Sequence, residues 1–224
     1  MKAQETKIAG IESIEVTGDN SDVGVILIHG YGASMHDLYP LWEMWHQEGF
    51  NWYFPNGVLP LPGPYFGGRS WFSIDIAALE ESMRTGKHRD MKNSLPPEFD
   101  STLNSLEAYV LEIAKRHKKI IIGGFSQGAM CCSHLAMKES LDLDGLVLLS
   151  GSLIAQSKLP STARGLKFYQ SHGVQDQILA ISGAKELNQK LHDLGFEGKL
   201  HEFQGGHEIP SSVLGGVKDY LKSI

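Results

Sequence analysis

The sequence is poor in cysteine and has no long apolar run, and both shortages exclude classes of protein. Its 224 residues include two cysteines, Cys131 and Cys132, whose adjacency leaves them poorly placed for an unstrained disulfide bond with each other. No metal-ligand spacing surrounds them, so we predict two buried thiols. Apolar runs such as residues 25–28 end after four residues, whereas a membrane-spanning helix requires about 20. Stable membrane insertion is therefore not expected.

An excess of positive charge is also missing. The chain has 26 acidic and 20 basic residues, with a formal net charge of −6. Because nucleic-acid phosphates attract clustered lysine and arginine, this balance argues against nucleic acid as a partner. The first ten residues contain Lys2 and Lys7 but no apolar segment typical of a secretion signal, so we expect a cytoplasmic protein.

What the chain does contain is an alternation of short apolar segments with amphipathic ones. This alternation predicts an α/β fold, with a mostly parallel central sheet and helices on both faces, and the length suits one domain over residues 1–224. The predicted strands are residues 7–16 at an edge, 23–28, 52–55, 119–123, 145–149, 166–171 and 199–203. The predicted helices are residues 37–47, a segment capped by Asp100 that ends near residue 118, and residues 127–138, 184–194 and 211–222.

Two segments interrupt the alternation. Residues 59–68 contain three prolines and three glycines, so we predict a loop without regular structure. Residues 81–98 mix charged residues with Gly86, Pro96 and Pro97, which fits a solvated connection or a mobile flap. Together, residues 59–98 are expected to form a flap or an extended loop within the domain.

The most specific signal is Gly-Phe-Ser-Gln-Gly at residues 124–128, between a predicted strand and a predicted helix. A serine at such a tight turn has a strained backbone, and flanking glycines leave room where strand and helix crowd together. The hydroxyl is then held near the amides of the helix N-terminus, which can stabilise an oxyanion. We predict that Ser126 is a nucleophile; the alternative is a serine that merely caps the helix.

A serine nucleophile needs a base, and the base needs an orienting acid. Asp176 and His207 each follow a predicted strand, at the sheet edge where α/β proteins collect active sites. The chain order Ser, Asp, His is that of α/β-hydrolases. Asp142 and Asp144 precede a strand and so lie at the wrong end of the sheet. Most competing histidines lie within predicted elements, and His88 lies in the charged connection, whereas His172 is expected to supply a supporting hydrogen bond. Those within elements are His46, His117, His134, His192 and His201.

Two further parts of a site are expected. Residues 30–32, Gly-Tyr-Gly, follow an early strand, and the N–H of Tyr31 would pair with that of Gln127 as an oxyanion hole. A phosphate-binding loop is disfavoured, since Gly-Lys-Ser/Thr is absent and the Rossmann spacing is only approximated. An apolar set is the candidate wall for an acyl or aryl group, although ordinary loop packing explains it equally well. This set is Leu59, Leu61, Tyr65, Phe66, Trp71 and Phe72.

With these residues in place, the chain resembles the carboxylesterase and acyl-protein thioesterase (lysophospholipase-like) family of small α/β-hydrolases. The resemblance runs nearly end to end. Its carriers are residues 27–32, Pro55 with its proline-rich loop and residues 70–72, residues 124–128, residues 172–173 with Asp176, and residues 206–209. The resemblance implies the triad Ser126, Asp176 and His207, with the oxyanion hole at the Tyr31 and Gln127 amides. Two departures are Ala129, where the family commonly has glycine, and a longer stretch between residues 71 and 100.

The expected reaction is hydrolysis of a small-molecule or lipid ester or thioester, of small to medium acyl length, through an acyl-enzyme, without cofactor or metal. The alternatives are a lysophospholipase or an acyltransferase with the same triad, and a catalytically silent binding protein of this fold. A dienelactone-hydrolase type is excluded because it would place cysteine at Ser126. Trp42 and Trp45 suit a homodimer face, and one-sided helix burial explains them equally well.

Overall fold

A computed structural model describes residues 1–18, 21–47, 49–62 and 67–224, and its largest element is a mixed β-sheet. The strands of this sheet are β1 (Lys2–Ile8), β2 (Ile11–Thr17), β3 (Val23–Ile28), β4 (Phe50–Pro55), β7 (Lys119–Phe125), β8 (Gly145–Leu149), β9 (Lys167–Gly173) and β10 (Glu197–Phe203). Two short strands, β5 (Leu59–Pro60) and β6 (Arg69–Ser70), pair with each other apart from it.

The eight strands follow the order β1-β2-β4-β3-β7-β8-β9-β10. The last six strands in this order run parallel to one another; they are β4, β3, β7, β8, β9 and β10. Strands β1 and β2 are antiparallel to their neighbours. The predicted fold class, α/β with a mostly parallel sheet, is therefore confirmed. One detail is wrong: residues 7–16 are not a single strand, because a turn at Ala9 and Gly10, with φ of +47° and +86°, separates β1 from β2.

In the described part of the chain, six α-helices connect or flank these strands: α1 (Leu41–Trp45), α2 (Ile76–Thr85), α3 (Phe99–Ala114), α4 (Gln127–Leu135), α5 (Ile181–Asp193) and α6 (Ser211–Lys222). Helix α6 has the predicted bounds, whereas α1 and α4 are shorter than predicted. Asp100 lies in the first turn of α3 and does not cap it, since the helix already begins at Phe99.

Helix α2 was not predicted and occupies part of the segment expected to be a flap or connection. Its start is fixed by Asp75, whose Oδ1 accepts a hydrogen bond from the Ala78 N–H at 2.9 Å. Its end is fixed by Gly86, which has a left-handed φ of +68° and donates its N–H to the Ser82 carbonyl. An aspartate cap and a glycine stop are ordinary helix signals, hidden here among charged residues.

Alternate residues of the central strands face opposite sides of the sheet, and two apolar clusters result. Ile26 and Ile122 belong to the cluster that contains buried residues of α3, α4 and α5. Val25 and Ile121 belong to the cluster that contains buried residues of α1 and α6. The sheet is thus covered on both faces, as parallel strands require, and its strand ends are left to form sites.

Several smaller predictions can be compared with this architecture. Both cysteines are free and buried, as predicted. The segment 59–68 is not wholly irregular, because β5 pairs with β6. Trp45 is buried and donates its Nε1–H to the Leu214 carbonyl at 2.9 Å, so it is no exposed dimer face; the homodimer itself stays a prediction. Within the described ranges, every helix falls short of the length and apolar character needed to traverse a bilayer.

Candidate active site

Ser126 lies at the turn where β7 ends and α4 begins. Its φ of +55° and ψ of −116° form a conformation that a non-glycine residue rarely adopts. Such a conformation costs about 1–3 kcal/mol and persists only where the surroundings enforce it. One restraint is the hydrogen bond from the Ser126 N–H to the Leu149 carbonyl of β8, at 2.8 Å.

The glycines on either side of Ser126 allow strand and helix to approach closely. A Cβ atom on Gly128 would lie 2.0 Å from the carbonyl oxygen of Ile28 in β3, and one on Gly124 would lie 2.4 Å from the carbonyl carbon of Gly128. Neither contact can be relieved by a side-chain rotation, because the opposing atoms are backbone. The two glycines therefore fix how α4 leaves the sheet and where the serine is presented.

Asp176 and His207 come from different loops and meet in the structure. Asp176 follows β9 and His207 follows β10, and the Nδ1–H of the histidine donates to Oδ2 of the aspartate at 2.6 Å. The other oxygen, Oδ1, accepts the backbone N–H groups of Ile178 at 2.8 Å and Leu179 at 2.9 Å. The carboxylate is thereby held in one orientation, and the His207 tautomer that bonds to it leaves Nε2 as the proton-accepting nitrogen.

The charge state of Asp176 follows from this environment. Burial alone would raise the pKa of the carboxyl group, but the hydrogen bond and charge of His207 and the amides of Leu179 and Ile178 lower it by more. The net pKa lies below the usual value of 3.8, so the group is ionised at neutral pH. A buried aspartate anion beside His207 stabilises positive charge on the imidazole ring.

His172 forms a second contact to this carboxylate, as the sequence predicted for a supporting residue. Its Nε2–H donates to the Leu179 carbonyl at 2.9 Å and lies 3.3 Å from Oδ2 of Asp176. The side chain is fully buried, and burial lowers its pKa, so the ring is neutral near pH 7. His172 therefore fixes the Asp176 loop without serving as the base.

His88 lies against the Asp176 loop, although its place in the sequence predicts a residue of a solvated connection. Its Nε2–H donates to the backbone carbonyl of Asp176 at 2.7 Å. The same segment is held further along by backbone hydrogen bonds from Ala155 to the Ser94 carbonyl and from Gln156 to the Lys92 carbonyl. Such ties favour an anchored connection over a loose flap, and no signal in the sequence pointed to them.

Gln127 occupies the first position of α4, so its backbone N–H has no acceptor within the helix. Its side chain is engaged elsewhere: Oε1 accepts the Trp71 N–H at 2.8 Å, and Nε2 donates to the Phe72 carbonyl at 2.7 Å. These two bonds join the start of α4 to residues 71–72. The helix N-terminus is thus fixed at the point where an oxyanion would need a donor.

The loop that carries Tyr31 lies directly beside the serine. A Cβ atom on Gly30 would come within 3.2 Å of the Ser126 Cβ. The loop is fixed by His29, whose Nδ1–H donates to the Gly30 carbonyl at 2.7 Å while its Nε2 accepts the Gly57 N–H at 2.9 Å. Burial lowers the pKa of His29 to about 4, so the neutral ring keeps both bonds at physiological pH. The sequence contained His29 but no pattern that revealed this positioning role.

The arrangement matches a known family. A family model described as phospholipase/carboxylesterase matches residues 9–224. The chain belongs to the phospholipase/carboxylesterase family. This confirms the predicted family and enzyme class: the protein is a hydrolase of the carboxylesterase type.

Similar proteins match different shares of this phospholipase/carboxylesterase chain. Mouse lysophospholipase-like protein 1 is 30% identical over 55% of this chain and 55% of its own length. Acyl-protein thioesterase 1 of Debaryomyces hansenii is 24% identical, covering 94% of this chain and 95% of that protein. The crystal structure of a carboxylesterase from Mesorhizobium loti superimposes with a TM-score of 0.78 at 20% identity over 99% of both chains. At that identity, the last likeness shows the fold alone.

Next to the serine turn, this chain has Ala129 where the family commonly has glycine, and a glycine opposite it accommodates the methyl group. Its side chain is fully buried, and a Cβ atom on Gly151 would lie only 2.7 Å from the Ala129 Cβ. The missing side chain at residue 151 therefore supplies the space that the alanine methyl group occupies. The departure leaves the turn intact.

A cavity of about 300 Å³ adjoins the serine turn, and Ser126, His207, Gln127 and Tyr31 all line it. Its apolar wall comes from several elements, α2 and the following connection among them. The apolar lining residues are Phe72, Ile74, Leu79, Met83, Met91, Met130, Ile178 and Leu179. The longer stretch between residues 71 and 100 therefore contributes much of the wall.

The predicted pocket residues have different places in the structure. Phe72 lines the cavity. Trp71 is fully buried behind it and donates its Nε1–H to the His29 carbonyl at 2.9 Å, so it supports the Tyr31 loop instead. Leu59 and Leu61 are partly buried and do not line the described part of this cavity. The remaining two predicted residues, Tyr65 and Phe66, lie outside the described residues.

Proposed function

We propose that Ser126, Asp176 and His207 form a catalytic triad that hydrolyses carboxylic esters or thioesters. The observation that carries this proposal is the 2.6 Å bond between Asp176 Oδ2 and His207 Nδ1, beside the same cavity as the strained serine. Such a bond selects the tautomer in which Nε2 can take a proton from a serine hydroxyl. A binding protein of this fold would have no need for either the oriented base or the strained turn.

In the proposed reaction, the Ser126 Oγ attacks the acyl carbonyl carbon while His207 Nε2 takes the hydroxyl proton. The tetrahedral oxyanion receives hydrogen bonds from the backbone N–H groups of Tyr31 and Gln127, and one lost donor typically costs about 10²- to 10³-fold in kcat. Collapse breaks the bond to the alcohol or thiol, which leaves with the proton from His207. Water then attacks the acyl-enzyme, His207 accepts its proton, and the carboxylic acid is released.

The substrate class follows from the cavity and the family. A largely apolar cavity of about 300 Å³ is at the small end of small-molecule sites and suits small to medium acyl groups. The similar proteins include one named as an acyl-protein thioesterase and one as lysophospholipase-like, so thioesters and lysophospholipids are substrates to test beside simple esters. We place the activity in the cytoplasm, where both free thiols would stay reduced.

The proposal is tested by hydrolysis of p-nitrophenyl esters and matched thioesters of increasing acyl length. We expect Ser126→Ala to lose turnover on every substrate and the exposed control Ser157→Ala to keep it. A fluorophosphonate probe should label the wild type at Ser126, which peptide mass spectrometry can verify. Unchanged turnover in Ser126→Ala, or labelling at another serine, would overturn the assignment of the nucleophile.

A further inference from the structure

Arg89 gives the otherwise apolar cavity beside Ser126 a positive charge. It lies in the connection after α2 and lines the cavity together with Leu79, Met91 and Ile178. No aspartate or glutamate is among the described residues that line this cavity, so the guanidinium has no negative charge on the same wall. The local charge is thus opposite in sign to the chain's net charge of −6.

The guanidinium of Arg89 is also incompletely hydrogen-bonded among the residues that the structure describes. Its Nε is buried without a partner, and within the described ranges no carboxylate oxygen lies within 4.0 Å of it. Every other arginine of the chain has a partner. Arg69 donates to the Gly57 carbonyl, Arg84 pairs with Glu81, Arg116 with Glu15, and Arg164 with Asp142.

The surroundings of Arg89 leave this charge partly desolvated. Burial lowers its pKa below the usual value, and the charge of Asp75 opposes that effect without exceeding it. Asp75 is itself occupied as the cap of α2. Arginine nonetheless stays protonated in proteins, and a buried donor without an acceptor is destabilising. An anionic ligand atom would relieve that cost.

A second, more polar cavity of about 260 Å³ adjoins Arg89 on its other side. Ser152 and Ser182 line it with Lys92, Asp90 and Glu186. Lys92 is paired with Glu186 at 3.3 Å, and the Asp90 carboxylate accepts the Lys92 N–H and the Asn93 Nδ2–H. Arg89 and Met91 line both cavities. Arg89 is therefore the cation without a paired anion at the boundary between an apolar space next to the serine and a polar space beyond it.

We propose that Arg89 binds an anionic group of the substrate, a carboxylate or a phosphate, and makes this enzyme selective for negatively charged esters. The inference rests on the proposed function of Ser126, because it concerns the substrate of the same site. The planar guanidinium would pair with two oxygens of the anion, while the ester carbonyl lies at Ser126 and apolar carbons lie along the cavity wall.

Two pairs of substrates test this inference and separate the two sources of the anion. p-Nitrophenyl octanoate is compared with mono-p-nitrophenyl suberate, which adds a carboxylate at the end of the same acyl chain. A monoacylglycerol is compared with the lysophosphatidic acid of the same acyl group, which adds a phosphate on the leaving side. The quantity compared is the ratio of kcat/KM for the anionic substrate to that for its neutral counterpart.

We expect the wild type to prefer the anionic member of at least one pair. Arg89→Met should reduce that ratio by about 10- to 100-fold, mainly through KM, as loss of a charged hydrogen bond implies. Arg89→Lys should retain part of the preference, and Arg84→Met, a control on the exposed face of α2, should leave it unchanged. The pair that responds identifies carboxylate or phosphate as the anion.

Equal kcat/KM ratios in the wild type and Arg89→Met, for both substrate pairs, would overturn the role of Arg89. The proposed function would still stand in that case if turnover of the neutral esters depended on Ser126. Turnover that persisted in Ser126→Ala would instead overturn the proposed function. A binding measurement needs no turnover: calorimetry should show the monoamide of suberate, which carries one carboxylate, binding to Ser126→Ala more tightly than the neutral octanamide. Equal affinities there, or no loss when Arg89→Met is added, would also refute the inference.

Discussion

Replacing Asp176 by asparagine tests the proposed mechanism most directly, because it changes the group that orients His207 while conserving its shape. The Oδ1 of the residue accepts the N–H groups of Ile178 and Leu179, and an amide NH₂ cannot accept hydrogen bonds. The substituted asparagine would therefore keep its oxygen on those amides and turn its NH₂ towards His207. The imidazole would then need to accept at Nδ1 and carry its proton on Nε2.

The magnitude follows from that exchange of tautomers. With a proton on Nε2, His207 cannot take the proton of Ser126, and the anion that would stabilise the imidazolium is gone. The same change in another serine hydrolase lowers kcat by about 10⁴-fold, which corresponds to about 5 kcal/mol of transition-state stabilisation. The NH₂ would also face the Nε2–H of His172, which lies 3.3 Å from the present oxygen, and two donors cannot pair.

The assay is steady-state hydrolysis of a p-nitrophenyl ester, with circular dichroism to verify that the variant is folded. Asp219→Asn, on the exposed side of α6, is the matched control and should keep full activity. If a folded Asp176→Asn enzyme retained kcat within tenfold of the wild type, the orientation argument would be refuted.

The same variant has a pH signature in stability. The pKa of Asp176 is lowered in the folded state below 3.8, so its ionisation stabilises the native protein above that pH, and the contribution is lost as pH falls through the lower folded pKa. Asparagine has no such dependence. The difference in the free energy of unfolding between wild type and variant should therefore shrink with acidification below about pH 4, as urea denaturation at several pH values would show. A constant difference would mean that Asp176 is not held as a buried anion.

Four further substitutions have clear expected outcomes. Gly128→Ala should destabilise the protein by at least about 3 kcal/mol because the added methyl group meets backbone of β3, whereas Gly215→Ala in α6 meets nothing and should stabilise it by up to about 1 kcal/mol in urea denaturation. Leu79→Trp should fill the cavity and reduce kcat/KM for the longest accepted ester by about tenfold or more, with acetate esters spared. His88→Ala should remove the bond to the Asp176 carbonyl, lowering stability by about 1 kcal/mol and raising KM while kcat is kept.

The parts of the molecule that depend on local signals were predictable from the sequence. The turn at Ser126 was predictable because five consecutive residues contain its glycines and lie between a predicted strand and a predicted helix. Helix α6 was predictable with both of its bounds. The positions of Asp176 and His207 followed from a general property of parallel sheets, whose strand ends converge.

Other parts were missed because their causes lie far away in the chain or are masked by composition. Helix α2 has a cap and a stop, but its charged residues suggested a connection. The cavity wall combines Leu79, Met130 and Ile178, which share no sequence pattern and meet only through tertiary packing. The tie from His88 to the Asp176 loop spans 88 residues, and nothing local indicates it.

The positions of the three proposed catalytic residues in the sheet have a consequence for inactivation. Ser126 follows β7, which has neighbours on both sides in the sheet, but His207 follows β10, the partly exposed edge strand that pairs with β9 alone. Edge elements open with less free energy than the middle of a sheet. On gradual heating, the enzyme should therefore lose activity when β10 unfolds locally, while the rest of the chain is still folded. Cooling should restore the activity without global refolding. Enzymatic activity thus measures whether the carboxyl-terminal quarter of the chain is folded.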